Sequence, residues 1–271
     1  MSSDALDILL LGDTDRAEFQ PARRTLDTLG RVHALADVQA AADAIAGAQT
    51  AADVIVVAQA YPGQFPQAAI DRLRRAAPLA RMVALLGSWC EGEMRSGKPW
   101  PGVIRLYWHQ APDRCQRELR HLIEGRGSTW GLPITATEEE RLLAAAQTPL
   151  PQRQGAIAIY TRLGAMETWL AAVCRRCGYA TVWQRGPHYA RLQGVTAAIY
   201  DGSDLSGEEV EEVRRLASAL SPAPLLVLLD FPRIEDHRRA LAAGAAGVLA
   251  KPLLLDDLLG QLDRAVAGES P

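Results

Sequence analysis

Three groups of residues have types and spacings that could do chemistry. Residues 87–102, "GSWCEGEMRSGKPWPG", crowd Trp89, Trp100, Arg95, Lys98, Glu91 and Glu93 into one stretch, with Trp108 and His109 following shortly after. Tryptophan and arginine dominate protein interfaces, and loops on rigid scaffolds often carry function. Trp89, Arg95, Lys98, Trp100 and His109 therefore form a candidate interaction loop. Two other readings stand beside it: a small-molecule pocket with His109 as base, or plain packing in which the two tryptophans fill the space of a missing helix. No serine, cysteine or acid adjoins His109 in sequence to form a triad. Cys174-Arg-Arg-Cys177 has the spacing of a redox or zinc pair. It falls at the end of an amphipathic pattern, whereas a redox pair wants the positive N-terminal end of a helix, and no second pair completes a zinc site. These cysteines read as incidental. Lys251, in "AGAAGVLAKPLLLDDLL", closes a short apolar run with an ammonium group suited to pairing with carboxylate or phosphoryl oxygens. His33, His121, His188 and His237 show no ligand spacing, and no Walker-type loop or GxGxxG follows either first strand.

These residues need a scaffold, and the hydrophobic periodicity supplies one. From residue 6 to 124, short apolar runs alternate with longer amphipathic ones. "DILLLG", "RVHAL", "DVIVVAQ", "ARMVALL" and "VIRLYW" read as strands; "RAEFQPARRTLDTLG", "DVQAAADAIAG", "PQAAIDRLRRAA" and "APDRCQRELRHLIEG" read as helices. Gly30 is expected to cap the first helix and Asp37 to begin the second. After the fourth strand a Gly- and Pro-rich loop stands where a helix is due. Residues 126–154 read as a connector with a short helix in "ATEEERLLAAAQ". The alternation then restarts: "AIAIY", "ATVWQ", "TAAIYD", "PLLVLL" and "GVLAK" are strands, separated by helical stretches, with "RGPHYARLQG" giving only a short or irregular helix. Strands that are apolar throughout and separated by helices make a parallel sheet covered on both faces. The expectation is an α/β chain of two doubly wound domains, each with a five-stranded parallel sheet, over 1–125 and 155–271, resembling a tandem duplication.

Composition agrees with two globular units. The chain has 271 residues, 48% hydrophobic and 23% charged, enough for a core in each half. Lys+Arg 29 against Asp+Glu 32 leaves a formal charge of -3, which gives no attraction for nucleic acid. No apolar run approaches the roughly 20 residues of a membrane span. The polar opening "MSSDALD" and the sparse cysteines make the cytoplasm the expected compartment.

The second half resembles the receiver domain of bacterial two-component response regulators, a flavodoxin-like fold. "CGYATVWQ", "AAIYDGSDLSGEE", "PLLVLLDFPRIEDHRRALAAGAAGVLAKP" and "LLLDDLLGQL" carry the resemblance over residues 155–267. It implies that Asp201, ending the third strand, stands at the phosphoacceptor position and that Lys251 is its phosphoryl partner. The family also brings an acidic pair at the end of the first strand to hold magnesium, which neutralises charge between two anions during transfer. Here Tyr160, Thr161 and Arg162 take that place. The family's switch hydroxyl is replaced by Leu229-Asp230-Phe231, with Asp230 a candidate makeshift metal ligand. The first half resembles a receiver only in pattern: Ala58 and Gln59 stand where an acceptor would lie, its fifth strand ends without lysine, and Asp13 and Asp15 have no acceptor opposite.

The reading that follows is a non-enzymatic signalling protein of tandem pseudo-receivers. It acts through an unidentified protein partner, with no cofactor and Lys251 in a salt bridge to Asp201. Receivers often dimerise through the fourth helix, fifth strand and fifth helix, so a homodimer is a further expectation. Two alternatives remain: a phosphate-accepting regulator using Asp201 with magnesium, and a sensor or enzyme at the Trp100 and His109 edge.

Overall fold

The computed structural model describes residues 6–47, 52–93, 97–133, 135–137, 139–140, 143–144, 150, 152–185, 192 and 194–268. The chain divides into two compact units, Met1–Thr148 and Pro149–Pro271. Among the described residues there are ten strands and eight helices.

Unit 1 runs β1 (Leu6–Leu11), α1 (Gln20–Leu29), β2 (Gly30–Leu35), α2 (Val38–Ala46), β3 (Val54–Gln59), α3 (Gln67–Ala76), β4 (Arg81–Leu86), β5 (Ile104–Tyr107) and α4 (Ala111–Ile123). Its sheet is parallel, in the order β2-β1-β3-β4-β5. The central strand β3 is buried at every position, as a strand covered on both faces must be. Gly30 does close α1, its N–H reaching Leu26 O, but in extended rather than left-handed backbone. Glycine is required there for another reason: a Cβ would stand 2.4 Å from Leu6 O on the neighbouring strand. Asp37 caps α2 through its side chain, which accepts from Gln39 N–H at 2.8 Å. Between β4 and β5 the described residues hold a 3₁₀ turn, Ser88–Cys90, and Glu93, which is helical and whose carbonyl accepts from Gly97 N–H at 2.7 Å.

Unit 2 runs β6 (Ala156–Tyr160), α5 (Gly164–Arg176), β7 (Ala180–Gln184), β8 (Ala197–Asp201), α6 (Gly207–Leu220), β9 (Leu225–Asp230), α7 (Ile234–Ala242), β10 (Gly247–Lys251) and α8 (Leu255–Ala267). Its sheet order, β10-β9-β8-β6-β7, repeats that of unit 1. Alternate strand residues feed two cores. Ile157, Ile159, Ile199 and Leu228 pack on one face with α5 and α8, while Ala158, Tyr160, Tyr200 and Val227 pack on the other with α6 and α7. Both sheets have the flavodoxin-like strand order, in which the carboxyl ends of the central strands border the usual ligand crevice.

Described residues near each end of the expected 126–154 connector pack on the unit they adjoin. Residues 128–131 fold back on α4, where the buried Glu118 carboxylate accepts from Ser128 Oγ at 2.8 Å and Thr129 N–H at 2.9 Å, and Trp130 is buried. At the other end Leu150 joins the core of unit 2, and Arg153 makes a two-pronged ion pair with Asp263 on α8. The connector helix expected in "ATEEERLLAAAQ" and the irregular helix expected in "RGPHYARLQG" fall largely outside the described residues. No helix among the described residues is long and apolar enough to cross a membrane.

Candidate functional site

In unit 2 the strand order decides which side chains meet. β8 lies between β6 and β9, with β10 beyond β9. Tyr160 is level with Tyr200, so the next residue on each strand, Thr161 and Asp201, face one another; Lys251 is level with Asp230. The carboxylate of Asp201 is closed from both sides. Lys251 Nζ donates to its Oδ1 at 2.8 Å, and Thr161 Oγ1 donates to its Oδ2 at 2.6 Å. Lys251 also donates to Gly202 O at 2.7 Å and lies 3.2 Å from Asp230 Oδ1. The Asp201 side chain is 4% exposed and that of Lys251 12%, so their attraction is little screened; Asp230, 54% exposed, contributes far less. The loop beyond Asp201 is held by Glu209, whose carboxylate accepts from Ser203 and Leu205 N–H groups.

The three residues at the end of β6 separate. Tyr160 enters the core, and Arg162 turns to a shallow concavity with Gly207, Glu208, Glu211, Glu212 and Arg215. Thr161, 1% exposed, alone faces Asp201. The donors facing that aspartate are thus a hydroxyl and an ammonium, and Lys251 already occupies the Gly202 carbonyl. Magnesium takes several hard oxygen ligands in octahedral geometry, with carboxylates as its usual protein anchors. This set does not fit it. No group of three or more His, Cys, Asp or Glu side chains among the described residues could hold a metal ion.

In unit 1 Leu11 is level with Val57, so Ala58 takes the place of Asp201, and the next residue, Gln59, is buried. Its Nε2 donates to Glu93 Oε1 at 3.0 Å, and Arg105 of β5 donates to Glu93 Oε2 at 2.7 Å. Cys90 lies against the same glutamine, its Sγ 3.4 Å from Gln59 O. Burial, followed by the Glu93 charge, pushes the Cys90 thiol up to about 11. An acidic side chain from the loop thus fills the carboxyl edge. The rest of the candidate loop disperses. Trp100 is buried against the unit 1 core and donates to Phe65 O at 3.3 Å, Trp108 is buried, and Trp89 is 67% exposed. Lys98 is exposed, and Arg95 lies outside the described residues. His109 is 6% exposed, stacked on Tyr107, with Nε2 3.6 Å from Glu91 Oε1. Asp15 pairs with Arg23 at the surface and Asp13 is exposed. Cys174 and Cys177 are both buried at the end of α5; burial pushes the Cys174 thiol up to about 12 and raises that of Cys177.

Three participants escaped the sequence reading as partners. Arg105 is an ordinary strand residue in sequence. Thr161 counted only as a lost acid, although its level position beside Asp201 follows once β6 and β8 are adjacent. Trp183 on the edge strand β7 donates its indole N–H to Thr161 O at 3.1 Å, with Arg185 5.5 Å above its ring. Nothing in the spacing signals that contact.

No family model and no curated protein matches the chain. Several of the solved structures similar to it are response regulators or their receiver domains. One is a response regulator from Burkholderia pseudomallei with a phosphorylated aspartic acid, calcium ion and citrate, 21% identical over 42% of this chain and 69% of that one, TM-score 0.35. Others are a response regulator from Thermotoga maritima, 18% identical over 42% of this chain and 99% of that one, TM-score 0.39, and a CheY-like response regulator protein from Mesorhizobium loti, 17% identical over 41% and 98%, TM-score 0.33. At these identities the likeness concerns the fold alone.

Proposed function

We propose that this chain is a non-enzymatic signalling protein built of two degenerate receiver units, acting by contact with a protein partner and without magnesium-dependent phosphorylation of Asp201. The observation that carries the reading is the closure of Asp201 by Thr161 and Lys251 at 2.6 and 2.8 Å. Phosphoryl transfer to a carboxylate needs a free oxygen as nucleophile and a cation to offset charge on the incoming group. Here one oxygen is bound by an ammonium that also serves Gly202 and Asp230, and the other by a hydroxyl. In unit 1 Ala58 offers no nucleophile at that position, and the neighbouring Gln59 amide is bound to Glu93. Both carboxyl edges are self-satisfied, which favours a fold kept for its surfaces. We place the protein in the cytoplasm and leave a homodimer among its assemblies.

Incubation with acetyl phosphate and magnesium, followed by intact mass measurement, tests this. The expected result is an unchanged mass. A base-labile gain of about 80 Da, one phosphoryl group, that disappears in Asp201→Asn would establish the phosphate-accepting alternative instead.

A further inference from the structure

At the carboxyl ends of β6 and β7, unit 2 turns apolar side chains outward: Leu163 is 59% exposed and Trp183 38%. Arg185 lies over the Trp183 ring and has no carboxylate partner among the described residues. This patch is joined to the buried Asp201 by a short series of hydrogen bonds. Lys251 binds one oxygen of Asp201; Thr161 Oγ1 donates to the other at 2.6 Å and accepts from Leu163 N–H at 3.0 Å; Thr161 O accepts from Trp183 Nε1 at 3.1 Å. One residue touches the buried carboxylate through its side chain and the exposed edge through its carbonyl.

A threonine hydroxyl has one proton to give, and here it goes to an ionised acceptor, the stronger kind of bond. Because Thr161 is 1% exposed, water is not at hand to take over if that acceptor changes. Loss of the Asp201 charge, or its engagement elsewhere, leaves the hydroxyl to rotate toward another acceptor. The lone pair that holds Leu163 N–H, at the entry to α5, turns with it, and the 161–163 backbone carries the carbonyl that holds Trp183. We infer that Thr161 is a positioning residue coupling the state of the Asp201–Lys251 pair to the β7 edge, so that Leu163 and Trp183 form the surface where a change at Asp201 is read out. This goes beyond the proposed function and does not depend on it, since a cation, a phosphoryl donor or a partner carboxylate competing for Lys251 would act on the same series.

The test uses the full chain labelled with nitrogen-15 and follows the indole N–H signals of its six tryptophans, that of Trp183 being assigned by its loss in Trp183→Phe. Asp201→Asn is expected to move the Trp183 signal by more than its linewidth while the Trp108 and Trp130 signals of unit 1 stay in place. In a Thr161→Val background, which keeps the carbonyl and removes the hydroxyl, the same substitution is expected to move it by a small fraction of that amount. A Trp183 signal that stays in place when Thr161 is present, or moves equally in both backgrounds, overturns the inference. Should Asp201→Asn fail to fold, Lys251→Gln releases the same carboxylate from its other side and is read in the same way. The phosphorylation assay is independent of this readout, so the two can fail separately.

Discussion

Replacing Lys251 by methionine keeps the apolar stem as far as Cε and removes the charged Nζ, which reports on the electrostatic contribution at the carboxyl edge of unit 2. Asp201 then keeps only the Thr161 hydroxyl, with a side chain 4% exposed. A charge-assisted hydrogen bond contributes about 1.5–3 kcal/mol, and leaving the Gly202 carbonyl without its donor adds roughly 1 kcal/mol. Asp230, half exposed, adds almost nothing after screening. The sum, about 3 kcal/mol, lies at the lower end of the cost of breaking a buried ion pair. Asp201→Asn in the same background removes the uncompensated charge, so the double variant should recover about 2 kcal/mol of the loss, a coupling expected only of groups in contact. Because a chain of two compact units need not unfold in one step, the assay is urea unfolding read by hydrogen exchange of the β8 amides. A Lys251→Met cost below about 1 kcal/mol, or additive single effects, would refute the view that this pair is buried and mutually dependent.

Glu93→Ala should lower the stability of unit 1 by about 3 kcal/mol, since it strands the Arg105 guanidinium and the Gln59 amide; thermal unfolding read at the unit 1 tryptophans checks this, and a loss confined to a few tenths would count against the clamp. The buried thiols of Cys90, Cys115 and Cys174 are raised from 9.0 to about 11, 12 and 12, chiefly by desolvation. Their contribution is complete below pH 9, where both states keep the proton, and is lost as pH rises from 9 toward 12, where the unfolded chain ionises first. Stability measured against pH should therefore fall above pH 9, with a shallower fall in Cys115→Ala. Phe231 is 60% exposed with φ +44, a backbone region that asparagine tolerates better. Phe231→Asn should stabilise unit 2 by roughly 0.5–1 kcal/mol, whereas Leu205, at φ 52 but fully buried, should lose stability on the same change. Urea midpoints of the two variants moving in the same direction would contradict this.

The alternation of apolar runs and amphipathic stretches was enough to determine two parallel five-stranded sheets, because a strand covered on both faces has no polar position to spare. Lys251 was legible as the polar end of such a run, whereas Asp201 was placed by the resemblance to receiver domains. Asp37 was legible because a cap is a local interaction between residues two apart. What lay beyond the sequence were contacts between strands far apart in the chain. Thr161 meets Asp201 across 40 residues and Lys251 meets it across 50, and only the order β10-β9-β8-β6-β7 makes them neighbours. The same holds for the loop after β4. Its composition could not say that Trp100 turns into the core, that Trp89 turns out, or that Glu93 reaches Gln59 and Arg105, since each direction depends on the space that the packed strands leave. Local propensity and periodicity are written along the chain, while the partner of a buried charge is chosen by whichever strand the fold lays beside it.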